Sequence, residues 1–200
     1  MLKELFMPIV VNQEEKIEQI CQKAYDEFIQ NGIESISLNQ LITNIGISKG
    51  QFYHYFKTKE ELIFQVVSKK TLEFVAKSED ELQKSNNLFQ DLQILFKFYI
   101  CEDKYFSDLR KLMFDTLHIY INSNDEKIKQ YNQKMYEWLD EKLIEIFQKY
   151  DVNLVSADII KSISATADGM YFRSLADSDF NLQHSLSEYL YDIANFVQKG

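Results

Sequence analysis

The stretch Gly46 to Leu62, GISKGQFYHYFKTKEEL, leaves this chain few ways to fold. Gly46 stops a preceding helix, Ser48 caps a new one, and Gln51 completes a Ser-x-x-Gln capping box. Phe52, Tyr55 and Phe56 follow at i, i+3, i+4, so three aromatic rings share one side of a short helix. Thr58-Lys59-Glu60-Glu61 is another box and opens a further helix with Leu62, Val66 and Val67 inside. A short helix with so apolar an inner side needs partners there, and the residues upstream supply them.

Asn12 to Glu15 reads as the capped start of a helix whose apolar positions are Ile17, Ile20, Cys21, Ala24, Tyr25 and Phe28. Asn31-Gly32 ends it. Ser37 caps a second helix with Leu38, Leu41, Ile42 and Ile45 on its inner side. Two short helices joined by a tight turn, at about 37–56, make a helix-turn-helix, and the first helix closes the small core.

Helical angle leaves Gly50, Gln51, Tyr53, His54 and Lys57 pointing outward. The 24-residue window from Ile36 to Lys59 has no Asp or Glu and three lysines, whereas the rest of the chain has 31 acids against 19 basic residues. A local basic surface on a chain of net charge −9 calls for a polyanionic partner, most commonly double-stranded DNA. The overall acidity argues against nonspecific coating of nucleic acid or membrane.

Chemistry suggests the roles. Gln51 suits adenine or another base edge, and Lys49 suits guanine or a phosphate. Tyr53 and His54 offer polar groups to phosphates and apolar contact to a thymine methyl, with a solvated surface histidine as the other reading of His54. Gly50 lets backbone approach closely, and its N–H and that of Lys49 face outward at the helix start. Ser37, Asn39, Ser48, Lys57 and Lys59 suit contacts to the DNA backbone. Lys59 in the first turn of a helix opposes the dipole, a conflict that an external phosphate removes.

The rest of the chain reads as helix as well. With 46% hydrophobic residues, one proline, five glycines and no alternating strand pattern, an all-α fold is expected. The fourth helix is expected to reach about Ser78, followed by helices over Leu88–Cys101, Asp108–Ile121, Asp125–Tyr150, Ser156–Ala176 and a last one ending near Gln198. Glu102–Ser107 reads as an irregular turn. The division expected is a DNA-binding domain over 1–60 and a larger helical domain over 61–200.

In the larger part, Phe98, Phe106, Met113, Phe114, Leu117, Trp138 and Met170 are the candidates to line an apolar ligand cavity, with Tyr99 and Tyr120 beside them. Plain core packing is the other reading of these aromatic stripes. Arg173 and His118 are polar groups able to orient a ligand, with a surface or interface ion pair as the alternative for Arg173. Small residues Ser162, Ala165, Ala167 and Gly169, with Leu186, Tyr189, Leu190, Ile193 and Val197, form a candidate dimer interface.

Cys21 and Cys101 are far apart on apolar faces, which fits a reducing cytoplasm rather than a disulfide framework. No apolar run is long enough for a membrane span, and the first residues lack the basic start and cleavage site of a signal peptide. No metal-ligand spacing, phosphate loop or nucleophile elbow stands out, so neither a cofactor nor an enzyme is expected.

GISKGQFYHYFKTKEEL resembles the signature of TetR-type transcriptional regulators, usually close to G-V-S-K-G-x-L-Y-x-Y-F-x-x-K-E-x-L. The likeness extends back through Ile17, Ala24, Phe28, Gly32, Leu41 and Gly46, over roughly 50 residues of a single domain. It implies DNA contacts at Ser48, Lys49, Gly50, Gln51, Tyr53, His54 and Lys59. It also implies a homodimer whose divergent helical domain binds a small-molecule effector, and a near-palindromic operator. Ile42 and Ile45 stand where the family often has alanines, which alters packing between the second and third helices but not which face is exposed. The function expected is therefore a ligand-responsive DNA-binding regulator, most naturally a repressor released by a small apolar or amphipathic molecule. The alternatives are a helical ligand-binding or scaffold protein that does not read DNA, and a small helical enzyme acting on an apolar substrate.

Overall fold

The computed structural model describes residues 13–123, 126–152 and 156–199, without the side chains at 118, 127, 128, 131, 132, 198 and 199. Asn12, expected to cap the first helix, lies outside the described residues, as do the side chains of His118, Ile128 and Tyr131. All regular structure among the described residues is helical: α1 (Gln13–Asn31), α2 (Leu38–Asn44), α3 (Lys49–Tyr55), α4 (Lys59–Lys84), α5 (Leu88–Leu95), α6 (Lys97–Ile100), α7 (Lys104–Asn122), α8 (Glu126–Lys149), α9 (Ala157–Ala176) and α10 (Leu182–Lys199). The chain divides into two compact units, 1–68 and 69–200, and the boundary falls within α4.

In the first unit the apolar periodicity becomes one small core. Ile20, Cys21, Ala24 and Phe28 from α1 are buried, as are Leu41, Ile42 and Ile45 at α2, Phe52 and Phe56 at α3, and Leu62, Ile63 and Val66 on α4. The bulkier Ile42 and Ile45 are fully accommodated, at 4% and 1% exposed. Gly46 ends α2 with φ at +73°, its N–H donating to Thr43 O and the N–H of Ile47 to Ile42 O. That bond pair is a Schellman stop, and it needs a residue at home in the left-handed region. A Cβ on Gly46 would meet nothing within 4 Å, so the requirement for glycine there is conformational rather than steric.

In the second unit one core joins α5, α8, α9 and α10 through Leu92, Leu95, Phe96, Leu143, Phe147, Ile163, Leu186 and Leu190. A second, aromatic cluster holds Phe74, Phe98, Phe106 and Leu109. Three element boundaries differ from the sequence reading. The expected helix over Leu88–Cys101 breaks at Phe96, which is wholly buried and leaves helical geometry at φ −93°, ψ 11°; α6 follows as a separate short helix. Glu102–Ser107 is not an irregular turn, because Asp103 caps α7 by accepting from the N–H of Phe106 at 3.0 Å. Finally, α4 continues past Ser78 to Lys84, its charged end held by Glu81 to Lys97 at 2.8 Å and Glu79 to Lys142 at 3.3 Å.

The expected dimer surface also needs revision. Ala167, Leu186 and Leu190 are each 0% exposed and belong to the protomer's own core. Ser162, Ala165 and Gly169 do face outward, and the exposed apolar side chains on these helices are Ile159, Phe172 and Leu175 on α9 with Tyr191 and Phe196 on α10. The helical angle of Leu186 and Leu190 matches the inner face; a single chain does not say which of two apolar faces meets its own core.

Candidate nucleic-acid interface and ligand cavity

Ser48 caps α3 with its hydroxyl, which accepts from the N–H of Gln51 at 3.1 Å, while the Gln51 side-chain oxygen accepts from the N–H of Ser48 at 3.0 Å. Ser37 and Gln40 form the same reciprocal pair at α2, with bonds of 3.3 Å and 3.0 Å. The two short helices are thus closed at their starts by side chains that lie next to them in sequence. Phe52 and Phe56 are buried with ring centroids 5.7 Å apart, and Tyr55 is half-buried. This anchors the inner side and leaves Lys49, Gly50, Gln51, Tyr53 and His54 exposed along α3, with Lys57 just beyond. Ser37 and Asn39 at the start of α2 are exposed as well.

Two details change how this surface works. Gln51 has its oxygen engaged in the capping box, so its amide NH2 is the part left to meet a base edge. Gly50 is in ordinary helical backbone, and a Cβ there would meet only Ser48 Oγ at 3.8 Å. The fold would accept alanine at 50 and gain roughly 0.5–1 kcal/mol of helix propensity.

Lys59 is half-buried, and its ammonium donates to the backbone oxygens of Ile33 and Ile36, the latter at 2.7 Å. Burial pushes its pKa below the ordinary lysine value, against the opposing pull of Glu60 and Glu34. The conflict with the α4 dipole is therefore met from within, by two carbonyls of the α1–α2 connection. Lys23 does a similar job, donating to Ile45 O at the end of α2 at 3.1 Å, and Glu27 accepts from both Asn31 and Asn44 at 2.9 and 2.7 Å. Apart from the i,i+4 pair Glu27–Asn31, none of these ties was visible in the sequence, because each joins residues whose spacing carries no periodic signal. Replacing Lys59 by Met is expected to lower stability by about 1–2 kcal/mol, allowing for its partial exposure. Urea titration measures this; a loss below about 0.3 kcal/mol would show that the two carbonyl bonds add nothing.

In the second unit a cavity of about 90 Å³ opens among Phe98, Tyr99, Met113, Phe114, Leu117 and Trp138, closed by Phe74, Leu95, Met135 and Leu139. Five of the seven ligand candidates, Phe98, Met113, Phe114, Leu117 and Trp138, come together there. Phe106 does not line it but packs edge-on behind Phe74, with centroids 6.1 Å apart. Met170 packs on the other core, and Tyr120 is buried away from the cavity. Arg173 lies outside it, paired with Asp177 at 3.5 Å and stacked over Phe180.

Sequence reasoning missed the polar end of this cavity. Asp168 on α9 lines it and accepts from the hydroxyls of Tyr99 and Tyr136, the latter at 2.8 Å. Burial, then the carboxylate, pushes both phenols well above the usual tyrosine value, so they stay protonated donors. Within α9, Asp168 stands between Ala167 and Gly169 and looks like any helical acid; only the convergence of three helices distinguishes it.

Residues 20–66 match the family model for bacterial regulatory proteins of the tetR family. An HTH-type transcriptional regulator of Staphylococcus aureus strain bovine RF122 is 23% identical over 141 residues, which cover 70% of each chain. Among solved structures, a transcriptional regulator from Saccharomonospora viridis in complex with choline matches at a TM-score of 0.78 and 14% identity, over 92% of this chain and 97% of that one. The regulator FadR from Bacillus subtilis in complex with stearoyl-CoA matches at 0.63 and 16% identity, over 88% and 96%. At such identities the structural matches speak for the fold, while the family match covers the helices that carry the exposed α3 surface. No helix among the described residues is long and apolar enough to cross a membrane.

Proposed function

The chain belongs to the TetR family of DNA-binding transcriptional regulators, and from that premise we propose that it is a repressor that reads its operator through α3. The observation that carries this reading is the exposed row Lys49, Gly50, Gln51, Tyr53 and His54, set on a helix locked by a capping box and two buried rings. Gly50 adds to it: the fold pays for a glycine that its own packing does not require, which makes sense where another molecule's backbone comes close. In this reading Gln51 and Lys49 meet base edges, and Tyr53, His54, Ser37, Asn39, Ser48 and Lys57 meet phosphates and sugars. Lys59 acts chiefly by shaping the connection before α2, with its remaining donor available to a phosphate.

The repressor works as a homodimer on a near-palindromic operator, with the exposed apolar side chains of α9 and α10 as the joining surface. The cavity takes a small apolar or amphipathic effector. Two structural neighbours that bind choline and stearoyl-CoA support a ligand role for this part of the fold. Release is a shift of population: α4 contributes Lys59 at its start and Phe74 to the cavity wall, so an effector that favours one position of α4 biases the reading unit.

Footprinting on the DNA upstream of its own coding sequence tests this. Two protected half-sites about one helical turn apart, or a multiple of it, are expected. Gln51→Glu sharpens the test, because Glu also completes a capping box but places a carboxylate where the amide donor was. The variant should keep its melting temperature and lose about tenfold or more in operator affinity. No footprint at low salt, or full affinity in Gln51→Glu, would return the chain to the reading of a helical ligand-binding protein that does not use α3 on DNA.

A further inference from the structure

Of the groups facing the cavity, Asp168 is the one acid in an otherwise aromatic and aliphatic wall. Its two oxygens are held from different helices, one by Tyr99 on α6 and one by Tyr136 on α8. Two phenol donors hold a carboxylate in place without cancelling its charge. No ion pair to Asp168 occurs among the described residues, and Arg110 donates through Nη1 to the carbonyls of Phe98 and Cys101, both at 2.7 Å. A half-buried carboxylate beside an apolar wall, with no cationic partner, attracts a bound cation.

We propose that the effector is a cation: a quaternary or tertiary ammonium whose head group faces Asp168 and whose apolar body lies against Phe74, Phe98, Phe114 and Trp138. The inference rests on reading the cavity as the effector site. Rings around the carboxylate favour the same charge, since aromatic faces attract ammonium groups. Met113 and Met135, unbranched and adaptable, let the wall reshape around the body of the ligand. An anionic amphiphile would meet Asp168 with like charge, and a neutral one would bury the carboxylate further with no return.

Trp138 is the only tryptophan in the chain and lines the cavity, so its fluorescence reports on this site. The full-length protein is titrated with phenyltrimethylammonium and with tert-butylbenzene, which has the same shape without the charge. The cation should bind about tenfold or more tightly than the neutral compound. In Asp168→Asn, which keeps the side chain's shape, the two affinities should converge; in Asp168→Glu the preference should persist. Equal affinity on the unaltered protein, no binding of the cation, or a preference that survives Asp168→Asn would each overturn the proposal. Footprinting separates this outcome from the repressor reading: a footprint without cation preference rejects only the effector class, and cation preference without a footprint rejects only the operator reading.

Discussion

Lys149→Met is expected to cost the second unit about 3 kcal/mol, toward the lower end of what breaking a buried ion pair costs. Asp91 on α5 is 0% exposed, and one of its oxygens accepts from Lys149 Nζ at 2.8 Å and from the hydroxyl of Tyr150 at 3.0 Å. Lys149 also donates to Ser85 O at 2.8 Å, so one ammonium ties the end of α8 to the α4–α5 connection and to α5. The two partners are unequal. Lys149 keeps 41% of its side chain in solvent, whereas Asp91 keeps 1%. Removing the lysine therefore strands a buried carboxylate on a single phenol, while Asp91→Asn leaves a neutral amide and should cost less, about 1–2 kcal/mol. The hydrogen bond to Asp91 raises the Lys149 pKa above the usual lysine value. A raised lysine lends stability below its unfolded value and loses it as pH climbs through the folded one, so on the alkaline side the lysine's contribution is kept past neutral pH and lost in strong alkali. Denaturant unfolding of both variants decides the matter: a Lys149→Met protein no less stable than Asp91→Asn would mean that the stranded charge costs nothing.

Phe52→Ala should remove about 3–5 kcal/mol from the first unit, the range for deleting a fully buried phenylalanine. Phe52 is 0% exposed and lies between Phe56, with centroids 5.7 Å away, and the edge of the Tyr53 ring at 5.4 Å. A unit of under 70 residues has a total stability of only a few kcal/mol, so this loss unfolds α3 in a large share of molecules. Hydrogen exchange should show the amides of α1, α2 and α3 losing protection while those of α5 and α8 keep theirs. Tyr53→Ala, one residue on but 58% exposed, should leave stability within about 0.5 kcal/mol and act only through the DNA contact proposed for it. Unchanged protection in Phe52→Ala would mean that the aromatic face is not what holds α3 in place.

The first unit was legible because its signals are local. A serine and a glutamine three residues apart close a helix start by themselves, and a glycine at φ +73° ends one. Phe52, Phe56, Leu41 and Ile42 all landed inside, since side-chain direction on a helix follows from spacing alone. The missed start of α7 was legible too: Asp103 is an ordinary N-cap, hidden by the aromatic residues that follow it. The break at Phe96 was not, because it answers to burial of that ring rather than to any residue that disfavours helix.

By itself the sequence determined the all-helical fold, the helix-turn-helix, the family and the outward row on α3, since caps, breaks and apolar angle act within a few residues of chain. Only the tertiary structure decided that Lys59 and Lys23 brace backbone carbonyls and that Asp168 meets Tyr99 and Tyr136. Those partners lie 22 to 69 residues apart. Hydrogen bonds and burial act over a few ångströms of space, and chain separation on that scale says nothing about which side chains packing will bring within reach.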